Sequence, residues 1–380
     1  MSYKSKFPPI TDPKFATKID KIWNTYHVPK RKPSYESFCN PRHFELQTQQ
    51  KFLKEFLGQK TPYKNLLIFH KLGAGKTCTA ISITEEWAGK KNIIIVSPAS
   101  LTSNFRDELR SPCTGNAYLT DEERLILRNG TKEQRINIIR KSDQKINKIY
   151  NIMSINMFIR AIHKNQIKLK NTLLVIDEVQ NVVSETGDYY KSLYGAIINA
   201  PKDLMLVLLS ATPIFDKPNE IALTMNLLRL PEDLPVGQEF EKQFLEVVKY
   251  KNGSTGVKAK NLDKFKEATV GYISYYKGAP DHVFPKTIIR HVNCEMSDYQ
   301  YQCYKTVLQK HIESNKKNRR ATIVDLPLNF LIGPRVISNI SFPQQLIGKK
   351  GYDIFSGTYL SPRNLRIYSC KLAKLMEKVT

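Results

Sequence analysis

Four side chains in two short stretches have the types and spacing to handle a phosphate chain. The first stretch is Gly73-Ala74-Gly75-Lys76-Thr77. Glycines let backbone N–H groups close around phosphates, Lys76 supplies a cation for the β/γ-phosphates, and the Thr77 hydroxyl can reach Mg²⁺. The second is Leu173-Leu174-Val175-Ile176-Asp177-Glu178-Val179-Gln180, an apolar run ending in two carboxylates. One acid there can hold Mg²⁺ and its neighbour can polarise the attacking water. A helix N-cap after a strand would explain one acid but not both. A third run, Leu204–Leu209, enters Ser210-Ala211-Thr212-Pro213. Position 70, where the full pattern G-x-x-x-x-G-K-[ST] asks for glycine, holds His70.

These groups need elements to position them. Leu66–Phe69 reads as a buried strand, and Cys78 onward reads as a helix, so the glycine turn lies between strand and helix. Further strands are expected at 93–96, 149–153, 173–177 and 204–209. Helices are expected at 45–57, 76–88, 103–110, 155–163, 189–199 and 218–229. Buried strands alternating with helices imply an α/β domain with a parallel sheet covered on both faces. Ligands bind such sheets at the C-terminal strand ends, where all three motifs fall.

In this order the motifs resemble helicase superfamily 2. GAGKT resembles motif I, DEVQ motif II and SATP motif III. IIIVSPASLTSNF (93–105) resembles motif Ia, YNIMS (150–154) resembles Ib, and FELQTQQKFLKEFLG (44–58) holds Gln49 where the family places an upstream glutamine. The phrases LLIFHKLGAGKT and LSATPIFDKPNEIALTMNLL are most like the helicase-like ATPases of large DNA viruses, a group that includes the poxvirus nucleoside triphosphatase I and early transcription factor large subunit. The resemblance spans roughly residues 44–310. It implies a RecA-like P-loop domain using ATP and Mg²⁺. Gly73, Ala74, Gly75, Lys76, Thr77 and Cys78 would cradle the nucleotide, and Gln49 would contact adenine. Thr77 and Asp177 would hold the metal, with Lys76, Asp177 and Glu178 catalytic. Gln180, Ser210, Ala211 and Thr212 would couple the nucleotide to nucleic acid. Ser97, Pro98, Ala99, Ser100 and Ser154 would touch the nucleic-acid strand. Motif II carries Gln180 where many relatives carry histidine.

The organisation expected is an N-terminal extension (1–40), a RecA-like domain (41–235) with a charged helical insertion near 118–148, an accessory segment rich in helix and loop (236–364), and the start of a second RecA-like domain (365–380). SCKLAKLMEKV from Ser369 resembles that opening, so the sequence reads as the N-terminal half of a motor. The resemblance implies an arginine supplied by the second domain, so slow hydrolysis is expected of these residues alone, unless Arg319 or Arg320 acts in trans through an oligomer. An inactive nucleic-acid- or polymerase-binding module is the other reading. The intact Lys76, Asp177 and Glu178 weigh against it.

Composition narrows the partners. The formal charge of +24 implies a polyanion, with nucleic acid first; the resemblance implies DNA ahead of RNA. Lysine-rich runs such as KINKIYNIM, typical of A/T-rich coding, contribute to that charge. A viral RNA polymerase is a further partner that the resemblance implies. The six cysteines include no C-x-x-C pair, which argues against a zinc site and against a disulfide framework, and reduced thiols in a cytoplasmic setting are expected. No apolar run approaches the roughly 18 residues of a membrane span, so no membrane partner is expected.

Overall fold

The computed structural model describes residues 6–26, 44–184, 187–214, 217–249, 255–278, 286–316, 332–345 and 349–379. Residues 1–285 and 286–380 form two compact units. In the first, the elements are α1 (Phe15–Asn24), α2 (Thr48–Phe56), β1 (Asn65–His70), α3 (Lys76–Glu86), β2 (Asn92–Ser97), α4 (Thr102–Leu109), α5 (Asp121–Asn129), α6 (Lys132–Asn147), β3 (Tyr150–Ser154), α7 (Ile155–His163), β4 (Thr172–Ile176), α8 (Asp188–Ile198), β5 (Met205–Ser210), α9 (Glu220–Asn226), α10 (Gly237–Phe244), β6 (Leu245–Lys249), β7 (Thr255–Ala259), α11 (Leu262–Thr269) and β8 (Ile273–Tyr276). The five expected strands are all present.

Six strands form one sheet in the order β3-β2-β4-β5-β1-β8, and every neighbouring pair is parallel. β6 and β7 make a separate antiparallel hairpin. Side chains alternate across a strand, so each apolar run feeds two cores. Leu67, Ile94, Leu174 and Leu206 face Phe158 and Ile159 of α7, Leu193 and Ile197 of α8, and Leu223 of α9. Leu66, Ile93, Leu173 and Val207 face Phe52 and Phe56 of α2, Ile81 and Ile83 of α3, and Phe105 and Leu109 of α4. Each such buried side chain contributes about 1.5–3 kcal/mol over its exposed form. The fold class is the one expected: a parallel sheet with helices on both faces. β8 was not expected as a strand. Its four residues, Ile273-Ser274-Tyr275-Tyr276, are too short and too polar to stand out.

The charged stretch forms two helices, α5 and α6. Thr120 and Thr131 open them with capping boxes. Ile138, Ser142 and Ile146 turn inward from α6. Arg110 ties the pair to α4 through Asp143 and Ser142, at 2.5 and 3.2 Å. Near the N-terminus, Phe7 meets Phe52, Phe56 and Tyr63 edge-on, with centroids 6.0–6.4 Å apart. The second unit contains α12 (Asp298–Lys316), α13 (Ile332–Asn339), α14 (Lys349–Ile354), α15 (Pro362–Tyr368) and α16 (Cys370–Val379). There the buried Gln300 amide donates to the Ile337 carbonyl at 2.9 Å and accepts from the Cys370 N–H at 3.1 Å.

The cysteine expectation needs correction. Cys78 and Cys113, 35 residues apart, are joined in a disulfide. Spacing gave no hint, because the connection is made by the fold: the chain leaves α3, runs through β2 and α4, and returns to the first turn of α3 at the 3₁₀ turn Pro112–Thr114. Closing a loop of that size stabilises a chain by about 3–4 kcal/mol in the chain-entropy view. Cys294, Cys303 and Cys370 are free among the described residues.

His70 occupies the last position of β1, where Phe69 and His70 pair with Tyr275 and Tyr276 of β8. The strand therefore runs on through the position where the pattern asks for glycine. The ring is fully buried, with Nε2 3.1 Å from the Ser274 hydroxyl and Nδ1 without a partner. Burial, assisted by the Lys76 charge, lowers its pKa from 6.5 to about 4. The unfolded chain therefore takes up a proton first as pH falls. Stability present above pH 6.5 should be lost between about pH 6.5 and 4, by roughly 3 kcal/mol. Urea unfolding across that window checks this: His70→Gln should flatten the pH slope, and an unchanged slope would exclude His70 as its source.

Candidate functional site

The turn between β1 and α3 is held from three directions. Gly73 and Gly75 both adopt positive φ, 75° and 70°. Only glycine takes that conformation without strain. Gly75 is the N-cap of α3, and its carbonyl accepts the Thr79 N–H at 2.9 Å, the Thr79 hydroxyl at 3.0 Å and the Gln50 amide at 3.2 Å. A Cβ on Gly75 would lie 2.7 Å from Gln50 Nε2. Gln50 is buried on α2, and its Oε1 accepts the Gln47 N–H at 2.8 Å. Ala74 is buried, whereas Gly73 and Gly75 are exposed and Lys76 and Thr77 half-buried. Free N–H groups at the start of an 11-residue helix, with a lysine and a hydroxyl beside them, form an anion cradle.

The carboxylates stand at the end of the neighbouring part of the sheet. The Asp177 N–H continues the ladder to the Val96 carbonyl at 2.8 Å. Its side chain is almost wholly buried and accepts the Glu178 N–H at 2.9 Å. Burial first, and the Glu178 charge second, push its carboxyl up to about 6; the Glu178 N–H and the Lys76 charge pull the other way. A buried acid whose charge is poorly compensated is suited to a divalent cation. Asp177 is such an acid, and its donor type, like the hydroxyl of Thr77, is one that could ligate Mg²⁺. Glu178 sits at φ 51°, a left-handed position that turns its side chain off the strand line.

From Glu178 a chain of hydrogen bonds crosses to β5. The Gln180 amide donates to Glu178 Oε2 at 2.5 Å. The buried Ser210 hydroxyl donates to Gln180 Oε1 at 2.7 Å. The Thr212 N–H donates to Ser210 Oγ at 3.0 Å. Ala211 is half-buried between Ser210 and the exposed Thr212.

The other expected residues divide by exposure. Ser97 is fully buried, and its hydroxyl turns to the Pro98 carbonyl at 3.5 Å. Pro98 is half-buried, and Ala99 and Ser100 are exposed. Ser154 caps α7, accepting the Met157 N–H at 3.4 Å. Gln49 is buried and borders a cavity of about 390 Å³ lined also by Phe15, Trp23, Phe52, Ser274 and Tyr276. Arg319 and Arg320 lie outside the described residues. Sequence reading missed Gln50 and Ser274. Gln50 follows Gln49 in Thr48-Gln49-Gln50, and nothing in the sequence separates the two.

A sequence model of the SNF2-related domain matches residues 48–341. A protein of Acanthamoeba polyphaga mimivirus named as a candidate ATP-dependent RNA helicase is 45% identical over 381 residues, covering 100% of this chain and 66% of that protein. A termination factor NPH-I homolog of African swine fever virus is 28% identical over 275 residues, covering 69% of this chain and 35% of its own length. The chain thus spans less than two thirds of these relatives. Among solved structures, the Sulfolobus solfataricus SWI2/SNF2 ATPase core in complex with dsDNA aligns with a TM-score of 0.40 at 18% identity, covering 87% of this chain and 62% of that one. With the family model matched over most of its length and the three motifs at one edge of a parallel sheet, the chain belongs to the SNF2-related domain family of helicase-like ATPases.

Proposed function

We propose that this chain is the ATP-binding half of a nucleic-acid-dependent ATPase that moves along DNA. The observation that carries the reading is the hydrogen-bond chain Glu178–Gln180–Ser210–Thr212, which joins the position next to the metal ligand to the segment after β5. ATP is held at residues 73–78, with adenine in the cavity beside Gln49. Thr77 and Asp177 would hold Mg²⁺, which when bound would supply positive charge against the phosphates. Lys76 binds the β/γ-phosphates. Glu178 orients the attacking water and takes its proton. The amide of Gln180 transmits the state of Glu178 to Ser210. The African swine fever virus relative is named a termination factor. That supports a role in viral transcription, with the polymerase as a partner.

Lys76→Ala should abolish ATP binding while the thermal melt barely moves. Glu178→Gln should keep binding and lose hydrolysis by on the order of 10²–10⁴-fold. Equilibrium binding of a fluorescent ATP analogue and phosphate release separate the two. If Lys76→Ala still binds and hydrolyses ATP, the chain is not this ATPase.

Ser210→Ala should spare basal hydrolysis and lower nucleic-acid stimulation by about tenfold, since it removes one buried link worth about 1–1.5 kcal/mol. Equal stimulation in both proteins would remove the coupling role.

Binding to single-stranded DNA should weaken by about 10³-fold or more between 50 and 200 mM salt if phosphates make at least six contacts. A titration series on DNA and RNA of one sequence measures this. Tighter binding to RNA would replace DNA as the substrate, and a flat salt series would exclude phosphate-led binding.

A further inference from the structure

We propose that Cys78 and Cys113 form a reversible clasp, opened and closed by thiol–disulfide exchange, that sets the affinity of the nucleotide cradle. Cys78 follows Thr77 directly and lies in the first turn of α3. Cys113 lies in the 3₁₀ turn Pro112–Thr114, just after α4. α4 in turn begins two residues after Ser100 in the exposed segment expected to meet nucleic acid. The two Cα atoms are 5.9 Å apart. That separation lies inside the range a disulfide spans without moving the backbone. The bond therefore ties the phosphate-facing turn to the element that follows the nucleic-acid segment. The effect on nucleotide rests on the ATPase reading; the exchange chemistry does not.

The two sulfurs are unequal. Cys78 is buried, and Cys113 is partly open to solvent. A small thiolate such as glutathione can therefore attack the Cys113 sulfur. A glutathione–Cys113 bond forms, the Cys78–Cys113 bond breaks, and Cys78 leaves as a thiolate. A second glutathione thiolate then attacks the mixed disulfide and frees Cys113. Both protein sulfurs end as thiols, and two glutathiones are oxidised to one disulfide. Closure is the reverse. Oxidised glutathione takes the two electrons, and two glutathione thiols leave with the two protons.

A ligand atom of Glu108 and the two sulfurs all lie within 4.8 Å of one another. In the reduced chain this trio could instead hold a thiophilic metal ion, an outcome that the test separates. With the clasp closed, the start of α3 is fixed against a second element, so the cradle gives up less freedom when phosphate binds. The oxidised chain should bind nucleotide more tightly.

The test equilibrates the chain in glutathione buffers from strongly reducing to strongly oxidising. Free thiols are alkylated and counted by intact mass, and a fluorescent ATP analogue is titrated into each sample. Two thiols should disappear together in one transition, against the constant background of the other cysteines. Nucleotide affinity should rise about fivefold or more across it. Cys113→Ser should show neither transition, and its melt should match that of the reduced parent. Cys113→Ala serves as a second variant if the serine form does not fold. A pair that stays oxidised, or stays reduced, across the whole range overturns the exchange. A normal thiol transition with unchanged affinity overturns the gating. Failure of the ATPase reading looks different: the transition survives, and no nucleotide binds in any buffer. Retention of one zinc ion by the reduced chain, blocking both thiols, would make the trio a metal site and overturn the clasp.

Discussion

Everything at the site depends on parallel strand pairing. Because all six strands run the same way, their C-terminal ends share one edge. β1, β2, β3 and β5 end at His70, Ser97, Ser154 and Ser210, and Asp177 follows directly on β4. These residues are scattered over 140 positions of sequence. No local propensity could gather them. Register does so, and register is fixed by the two apolar cores, since a one-residue slip would send each strand's core residues to the wrong face.

The glycine turn works within that frame. The Gly75 carbonyl takes three donors, two from Thr79 and one from Gln50. Within the turn the Ala74 N–H is used by the Lys71 carbonyl at 3.1 Å, and the N–H groups of the first turn of α3, which have no intrahelical acceptor, are the ones left for a ligand. The arrangement also accounts for His70. The loop needs positive φ at Gly73 and Gly75. It does not need it at the end of β1, where a side chain can be buried against β8. A motif read strictly scores His70 as a defect, whereas the backbone shows that the glycine requirement starts three residues later.

What the sequence made legible follows from this. β1, β2, β4 and β5 and their helices were readable because those strands are buried on both faces and carry a strong pattern, whereas β3, at the sheet edge with Asn151 exposed, carries a weaker one. Lys76, Thr77, Asp177 and Glu178 stood out as candidates because their chemistry is local: a few adjacent residues at a strand end. β8 was not readable, because four residues with Ser274 and two tyrosines carry little apolar signal, and its pairing with β1 spans some 200 positions. Gln50 was hidden by its neighbour Gln49, since only the rotation of α2 decides which amide reaches the turn. The Cys78–Cys113 bond was hidden for the same kind of reason: it joins two elements through the fold, and no spacing rule covers it.

Gln180 shows how a substitution within a motif can keep a hydrogen-bonding pattern and change its character. The position must accept from Ser210 and donate toward Glu178 at once. A carboxamide does both with one side chain, its oxygen and nitrogen pointing to different partners. A neutral imidazole can do the same, but when protonated it has two donors and no acceptor, and the bond from Ser210 fails. Glutamine has no such titration. The link between β5 and Glu178 in this chain is therefore independent of pH at Gln180. The carboxyl of Asp177, raised by burial, lies beside the link.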